Sequence, residues 1–588
     1  MSRNYLYSQE ARFSEVEEIK SNTTRVVLTE KNEVGGLPVF VCSNCREMYI
    51  DGSDTNSLVC SDPGSGKSRR IAWQTCLSDA TASISMIIHD PKGELCRGLY
   101  SFLIERGYNI RIWNMRKPTG DQYNPLWHGC KLFKEGYEDM AVESWMDVAE
   151  ALYKNQVDKA DKFWETMSTN YFLALCLVGA SVVEKPEDLT IELIYRLHNE
   201  GIQKLGGSTF LKEYVNEHGT TLMKEALLGI LDAPSDTRQS IFSCFTSVIS
   251  RLVINKGVSE TISGKAITAD EFIEKPTAFF LVTRDESTVY NALTACVIKQ
   301  IYVRLLEAAE RTSGVLGRRV HFIIDEFSTL PCIQDFNAMI AACRSRNIRF
   351  FIFVQSLFQL DLNYGHELAS TILSACQNWI LFHVSDPELN ELFSKRAGTY
   401  ISQYTGHQKP LIAPSQLQHF SKEKGEALLL LGRCYPYLMS LPDKSEFEKS
   451  LGIKEIAEIP PAKEERYKPK QFSIKDIVTK DREKRINELL NSGANKEKKG
   501  ESHINVDSKH EGHIIDMING TPGGINVDDL VARIDAKIAE LKEEERLENE
   551  KQEEQKNKEL ISDNKDEKDE DKVDSDSDSS SGEPIPLS

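Results

Sequence analysis

Ser61-Asp62-Pro63-Gly64-Ser65-Gly66-Lys67-Ser68 follows the apolar run Ser57-Leu-Val-Cys60 and precedes Arg69-Arg-Ile-Ala-Trp-Gln-Thr-Cys-Leu77. A strand, a glycine-rich bend and a helix opening on Lys-Ser are the parts of a phosphate-binding loop. Gly64 and Gly66 admit backbone angles that turn successive N–H groups inward toward phosphate oxygens. The N-terminus of the following helix adds favourable partial charge. In this pattern Lys67 reaches the β- and γ-phosphates of ATP and the Ser68 hydroxyl ligates Mg²⁺, with Asp62 to Ser68 as the cradle. One position departs from the usual spacing: Ser61 stands where the first glycine is expected.

A phosphate loop needs acidic partners, and Val320-His-Phe-Ile-Ile-Asp325-Glu326 offers them at the end of a second apolar run. Ligands of open α/β sheets collect at the carboxyl ends of the strands, so both segments are expected at one edge. There Asp325 would hold the metal shell and Glu326 would orient and deprotonate the attacking water. Two more runs end in polar residues: Ser83–His89 in Asp90-Pro-Lys92-Gly-Glu94, and Ile348–Val354 in Gln355-Ser356. Gln355 reads either as a sensor of the γ-phosphate or as a surface turn. Arg344 and Arg346 close a helical stretch. They read as a finger for a neighbouring subunit's nucleotide, or as cations that complement a helix C-terminus.

Further out, the stretches at 83–90, 108–114, 277–283, 319–325 and 348–355 are apolar runs of strand length, and most are followed by helical patterns. Such strands are buried on both faces, which predicts an α/β domain with a mainly parallel sheet. From 137 to 254 apolar residues recur at three- and four-residue spacing, predicting an inserted helical domain. Pro460-Pro461 opens a polar stretch read as a linker, and Leu530, Ile534, Ile538 and Leu541 mark an amphipathic helix after it. The end of the chain is Glu-, Asp- and Lys-rich and cannot bury enough apolar surface to offset its ordering entropy. The expected divisions are an N-terminal extension (1–34), the two parts of the nucleotide-binding domain (35–136 and 255–450) around the helices (137–254), a linker (451–524), and the amphipathic helix with its acidic tail (525–588).

The 588 residues carry a net charge of −19. After residue 497 there are 13 Lys/Arg against 26 Asp/Glu, so −13 of that charge lies in the tail and −6 in the rest. The body is close to neutral, which leaves local nucleic-acid binding open and excludes a basic DNA-coating protein. No run approaches the 18 or so apolar residues of a membrane span, and the polar start is no secretory signal. The 13 cysteines form no paired framework, as expected of a reducing compartment, and the chain is expected to be cytoplasmic. Cys42-Ser-Asn-Cys45 has metal-ligand spacing without a second pair; it reads as a zinc half-site or as two thiols beside a strand.

Taken in order, DPGSGKS (62–68), HDPKGEL (89–95), YNPL (123–126), DKFWETMSTNYFLAL (161–175), IIDEFSTLP (323–331) and RSRNIRFFIFVQSLFQL (344–360) resemble the type IV secretion coupling ATPases of conjugation, the TraG-like group. The resemblance runs from about Gly35 to Leu441. It implies a RecA-like nucleotide-binding domain with an all-α insertion, assembled as a hexameric ring. It also implies an ATP-dependent motor that takes relaxase-bound single-stranded DNA to a secretion channel. It raises Arg344 to a trans-acting finger and turns the inserted helices toward the relaxase complex or DNA. Most members begin with membrane-spanning helices. Here none is seen, so membrane attachment is expected through a secretion-system partner subunit. Two other readings remain: a slow- or non-hydrolysing recruitment adaptor, and a soluble DNA-pumping ring outside conjugation.

Overall fold

The structure is a computed structural model that describes residues 11–154, 162–284, 287–402 and 406–497. It divides into two units, a large one running to Lys480 and a small one of Lys204–Thr209 and the chain after Lys480. In the small unit, Lys204–Leu205 and Ser208–Thr209 pair as a two-stranded antiparallel ribbon. The expected amphipathic helix at 530–541 and the acidic tail lie outside the described residues.

Nine strands form the central sheet of the large unit. Their order is Tyr437–Ser440, Glu426–Leu430, Cys376–Leu381, Asn56–Cys60, Ile348–Val354, Val320–Ile324, Ser85–His89, Thr277–Val282 and Asn109–Asn114. The last seven are parallel, and the first two close one side antiparallel. The parallel α/β sheet expected from the sequence is therefore present, wider by three strands. Cys376–Leu381 escaped notice because Gln377 and Asn378 interrupt its apolar pattern, and the last two strands because they lie at the antiparallel margin.

The five residues of Asn56–Cys60, Ser85–His89 and Val320–Ile324 and all seven of Ile348–Val354 are buried, as strands covered on both faces must be. One face packs Val59, Ile88, Ile323 and Phe351 under the helices Trp73–Thr81 and Glu94–Glu105. On the other face Phe322 stacks on Phe350 at 4.8 Å, and Phe336 and Tyr302 close over Phe350 at 5.2 and 5.9 Å. Truncating such a ring would cost about 3–5 kcal/mol.

The described residues before Gly35 are built into the fold. Thr24–Val27 pairs with Glu47–Asp51, which also pairs with Leu37–Val41, to make a three-stranded antiparallel sheet. Cys42 and Cys45 sit in the turn between the latter two strands, the Cys45 N–H donating to the Cys42 carbonyl at 2.9 Å.

Between 137 and 254 the described large-unit elements are helices: Glu138–Tyr153, Lys162–Val182, Ile191–Gly201, Phe210–His218, Thr221–Leu231 and Ser235–Val253, with one 3₁₀ turn at Pro186–Asp188. Thr190 and Thr220 cap two of them, each side-chain oxygen accepting a backbone N–H. Tyr153, Phe172, Tyr171 and Phe245 fill their core, and Tyr171 Oη meets His198 Nδ1 at 3.0 Å. Lys299, on the long helix Thr288–Glu310, joins this layer to the sheet layer. Its ammonium lies 2.9 Å from Asp147 and 2.8 Å from Asp335.

The stretch after Leu451, expected as a linker, runs as a strap to Ser473. Ile456 N–H donates to Arg97, Ala462 N–H to Thr119, and the Tyr467 hydroxyl to Asp188 at 2.8 Å. A polar sequence without periodicity conceals such borrowing of hydrogen bonds from other segments. Helix Ile474–Glu497 follows the strap. Among the described residues no helix is long and apolar enough to cross a membrane.

Candidate nucleotide site

Parallel register fixes where the strands end. Cys60 is level with Val354 and Leu381, and Ile324 with His89 and Ile352. The residues that follow these strands, Ser61, Gln355, Asp325 and Asp90, consequently share one edge.

The loop is tied down at its base. Ser61 N–H continues the ladder to the Val354 carbonyl at 3.2 Å, and Asp62 N–H donates to His383 at 3.1 Å. The Asp62 carboxylate accepts the backbone N–H and hydroxyl of Ser385, and its carbonyl accepts the Ser65 hydroxyl at 2.8 Å. Pro63 and Gly64 are exposed at the tip. Gly64 and Gly66 have φ of 73° and 92°, angles that L side chains resist. Ser61 is not in that region, so glycine is not required at the one departure from the pattern. Past Lys67 the chain takes one wide π-type turn, Ser68–Ala72, before the helix Trp73–Thr81. The buried Arg70 anchors this turn by donating to the carbonyls of Leu441 and Glu423, the latter at 2.8 Å.

Ser68 Oγ donates to Asp325 Oδ2 at 2.6 Å, which brings loop and acidic strand together. The other oxygen of Asp325, Oδ1, is buried without a hydrogen-bond partner. Burial raises the Asp325 carboxyl above its ordinary range, against the pull of Lys67 and the Ser68 bond. Lys67 is 5% exposed, and its Nζ also lacks a hydrogen-bond partner. The ammonium stands 3.8 Å from Glu326 Oε1. Glu326 takes a left-handed φ of 56°, a strained conformation for a residue with a Cβ. Two buried charged groups with unused hydrogen-bonding capacity form a site that an anion and a cation together would complete. The oxygen donors of Ser68 and Asp325 are the hard ligands that magnesium takes.

His89 and Asp90 support this edge. His89 Nδ1 meets the Asp325 carbonyl at 2.6 Å and Nε2 meets Thr283 Oγ1 at 3.3 Å. Burial draws the His89 ring down to about 4, so it is neutral at ordinary pH and holds the acidic turn by hydrogen bonding alone. Asp90 is pushed up to about 7, chiefly by burial and further by the charge of Asp325, while its carboxylate accepts the Cys96 N–H at 2.8 Å.

Lys67, Ser68, Asp325 and Glu326 are thus in contact, and Gln355 is half-buried at the end of the strand between those of loop and acids. Arg344 is elsewhere. It precedes Ile348–Val354, at the opposite edge of the sheet, where it pairs with Asp54. About 20 Å of strand separates that edge from the loop, so Arg344 does not reach the site of its own chain. The sequence reading gave no role to Arg70, His89 or Lys92. A histidine or lysine beside a strand-end Asp is a usable signal, whereas Arg70 looks like any helical arginine.

Comparison with known proteins bears on the fold and the family. No curated protein sequence matches. The plasmid coupling protein TrwB in complex with the ATP analogue ADPNP is similar over 74% of this chain and 94% of that one, with a TM-score of 0.54 at 17% identity. The unbound bacterial conjugative coupling protein TrwBdeltaN70 covers 77% and 94%, with a TM-score of 0.54 at 17% identity. TrwB in complex with ADP and Mg²⁺ covers 74% and 94%, with a TM-score of 0.52 at 16% identity. At these identities the likeness is one of fold. The sequence profile for type IV secretory system conjugative DNA transfer matches residues 10–428, most of the chain, and the chain belongs to that family.

Proposed function

We propose that this chain is an ATP-hydrolysing coupling protein that brings relaxase-bound single-stranded DNA to a type IV secretion channel during conjugation. The observation that carries the reading is the meeting of Lys67, Ser68, Asp325 and Glu326 at one sheet edge, with Lys67 Nζ and Asp325 Oδ1 buried and without hydrogen-bond partners. A triphosphate seated on the N–H groups of the Asp62–Ser68 loop gives the Lys67 ammonium its missing acceptors. Mg²⁺, held by Ser68 and Asp325, neutralises phosphate charge when bound. The TrwB complexes with ADPNP and with ADP and Mg²⁺ support both ligands. Glu326 takes the proton of the attacking water, and Gln355 senses the γ-phosphate from the neighbouring strand end.

Arg344 stands too far from its own loop to act there, so its role belongs to the nucleotide of an adjacent subunit. That assignment requires a ring of copies, hexameric as in the family resemblance. The helices at 137–254, set between the two sheet-forming parts of the chain, face DNA or the relaxase. A membrane subunit of the secretion system holds the chain at the inner face of the cell membrane.

ATP turnover with and without single-stranded DNA tests this reading. DNA should stimulate turnover, Glu326→Gln should abolish it while still binding nucleotide, and Arg344→Ala should do the same. Nucleotide binding without turnover under any condition would replace the motor by a recruitment adaptor.

A further inference from the structure

Glu326 Oε1 lies between two ammonium groups. Lys67 Nζ is 3.8 Å away, and Lys92 Nζ approaches the same oxygen to 3.9 Å. Lys92 belongs to the turn after the strand Ser85–His89, and the fold fixes its backbone. The Gly93 N–H closes the turn on the Asp90 carbonyl at 3.1 Å, and the Asp90 carboxylate accepts the Cys96 N–H from the following helix. Gly93 has a φ of 68°, a left-handed angle that L side chains resist, so the turn favours glycine there. Lys92 is thus a flexible cation on a rigid base. Its side chain is 57% exposed, against 14% for Glu326, and Glu326 is its ion-pair partner among the described residues. The positive charge of Lys92 is also felt by the Asp325 carboxyl.

The two lysines differ in what a nucleotide asks of them. Lys67 is part of the loop, so a bound triphosphate occupies its ammonium and removes the nearer counter-charge of Glu326. The phosphate charge then repels the carboxylate, which already sits on a strained backbone. We propose that Lys92 is the positioning residue of Glu326, holding its carboxylate at the acid strand's end once phosphate has taken Lys67. Lys92 need not touch the nucleotide for this. It acts through the carboxylate, by an ion pair that survives when the competing pair is lost. The inference rests on the ATPase reading for its kinetic consequence, though the pairing itself can be tested without turnover.

Two measurements on the full chain decide it. Binding of ADPNP and DNA-stimulated ATP turnover are compared for the wild type, Lys92→Ala and Lys92→Arg. The expected result is a turnover number at least about 10-fold lower in Lys92→Ala, ADPNP affinity within about twofold of wild type, and substantial recovery in Lys92→Arg. Unchanged turnover, or affinity that falls in step with it, overturns the positioning role. In the second measurement the rate of Lys92 acylation is followed by peptide mass spectrometry with ADPNP and Mg²⁺ bound. Lys92 should react more slowly in wild type than in Glu326→Gln; equal rates overturn the pairing. A wild type that binds nucleotide but never hydrolyses it would sink the ATPase reading, while the acylation experiment would still judge Lys92.

Discussion

The two edges of the sheet use similar residues for different ends. At the loop edge Ser68 and Lys67 meet the carboxylates of Asp325 and Glu326, and the buried His89 holds the Asp325 carbonyl. At the opposite edge Asp79 and His321 are fully buried and 2.7 Å apart, and Arg349 lies beside His321 in register, 3.7 Å from Asp51. Both places contain buried polar atoms without partners. The difference lies in access. Lys92 and Glu326 open the loop edge to solvent, while the three-stranded sheet and the helix Trp73–Thr81 bring Asp51 and Asp79 in over the other. A charge network that a ligand can enter is suited to binding, and an enclosed one to holding elements in register. Charge and burial alone do not distinguish the two.

Breaking the enclosed network should produce the largest effect on stability. His321→Leu leaves the Asp79 carboxylate buried with no donor, a defect that costs about 3–5 kcal/mol. Urea unfolding should show that loss, while ADPNP affinity, measured well below the melting temperature, should stay within about twofold of wild type. A variant that keeps its stability but loses nucleotide would reverse the assignment of the two edges.

Acid should act on the buried histidine of each edge in the same direction. Burial draws His89 down to about 4 from an ordinary 6.5, and it also lowers His321 despite the pull of Asp79. At these two rings the unfolded chain binds protons that the folded chain refuses, so their contribution falls as pH drops from about 6.5 toward 4, while Asp90, raised to about 7, works in the opposite direction over the same range. The His89 contribution reaches at most about 3 kcal/mol at the low end. With the opposing carboxyl removed in Asp90→Asn, urea midpoints should fall between about pH 7 and 4.5, and midpoints that do not move in that variant would mean that the rings charge within the fold.

At the loop edge the expected loss is in affinity. Lys67→Ala should weaken ADPNP binding by about 100-fold, near 2.7 kcal/mol, because a buried charge-assisted contact to phosphate disappears. The same change removes a buried ammonium that lacks a hydrogen-bond partner but also a counter-charge of Asp325 and Glu326, and with the two effects opposed the unfolding free energy should change little. Lower stability with unchanged affinity would place Lys67 among the structural charges instead.

Much of this was legible in the sequence because it rests on local rules. Six of the seven parallel strands carry an apolar run, and the glycine bend and the Asp325-Glu326 pair sit at strand ends, where that run stops. The helical insertion shows its own spacing. The rest depends on distant partners. Cys376–Leu381 carries Gln377 and Asn378, and the Asn378 amide is used by Asp51, more than 300 positions away in sequence. The strap through Tyr467 has no periodicity at all and is held by Gln122 and Asp188. Arg344 illustrates a different limit: its helical context was readable, but which edge it occupies follows only from the parallel register.

Ser61 gives the smallest and sharpest expectation. By pattern it is the missing glycine of the loop, and by pattern Ser61→Gly should tighten nucleotide binding. The structure argues otherwise. Ser61 lies outside the left-handed region, its N–H is engaged by Val354, and its hydroxyl is buried without a hydrogen-bond partner. Glycine would relieve no backbone strain, and it would add freedom to the unfolded chain. Ser61→Gly should accordingly leave ADPNP affinity within about twofold and cost at most about 1 kcal/mol of stability. A gain of tenfold in affinity would show that the loop rearranges on binding into a conformation that only glycine at 61 allows, and the difference between the edges would then lie in mobility as well as access.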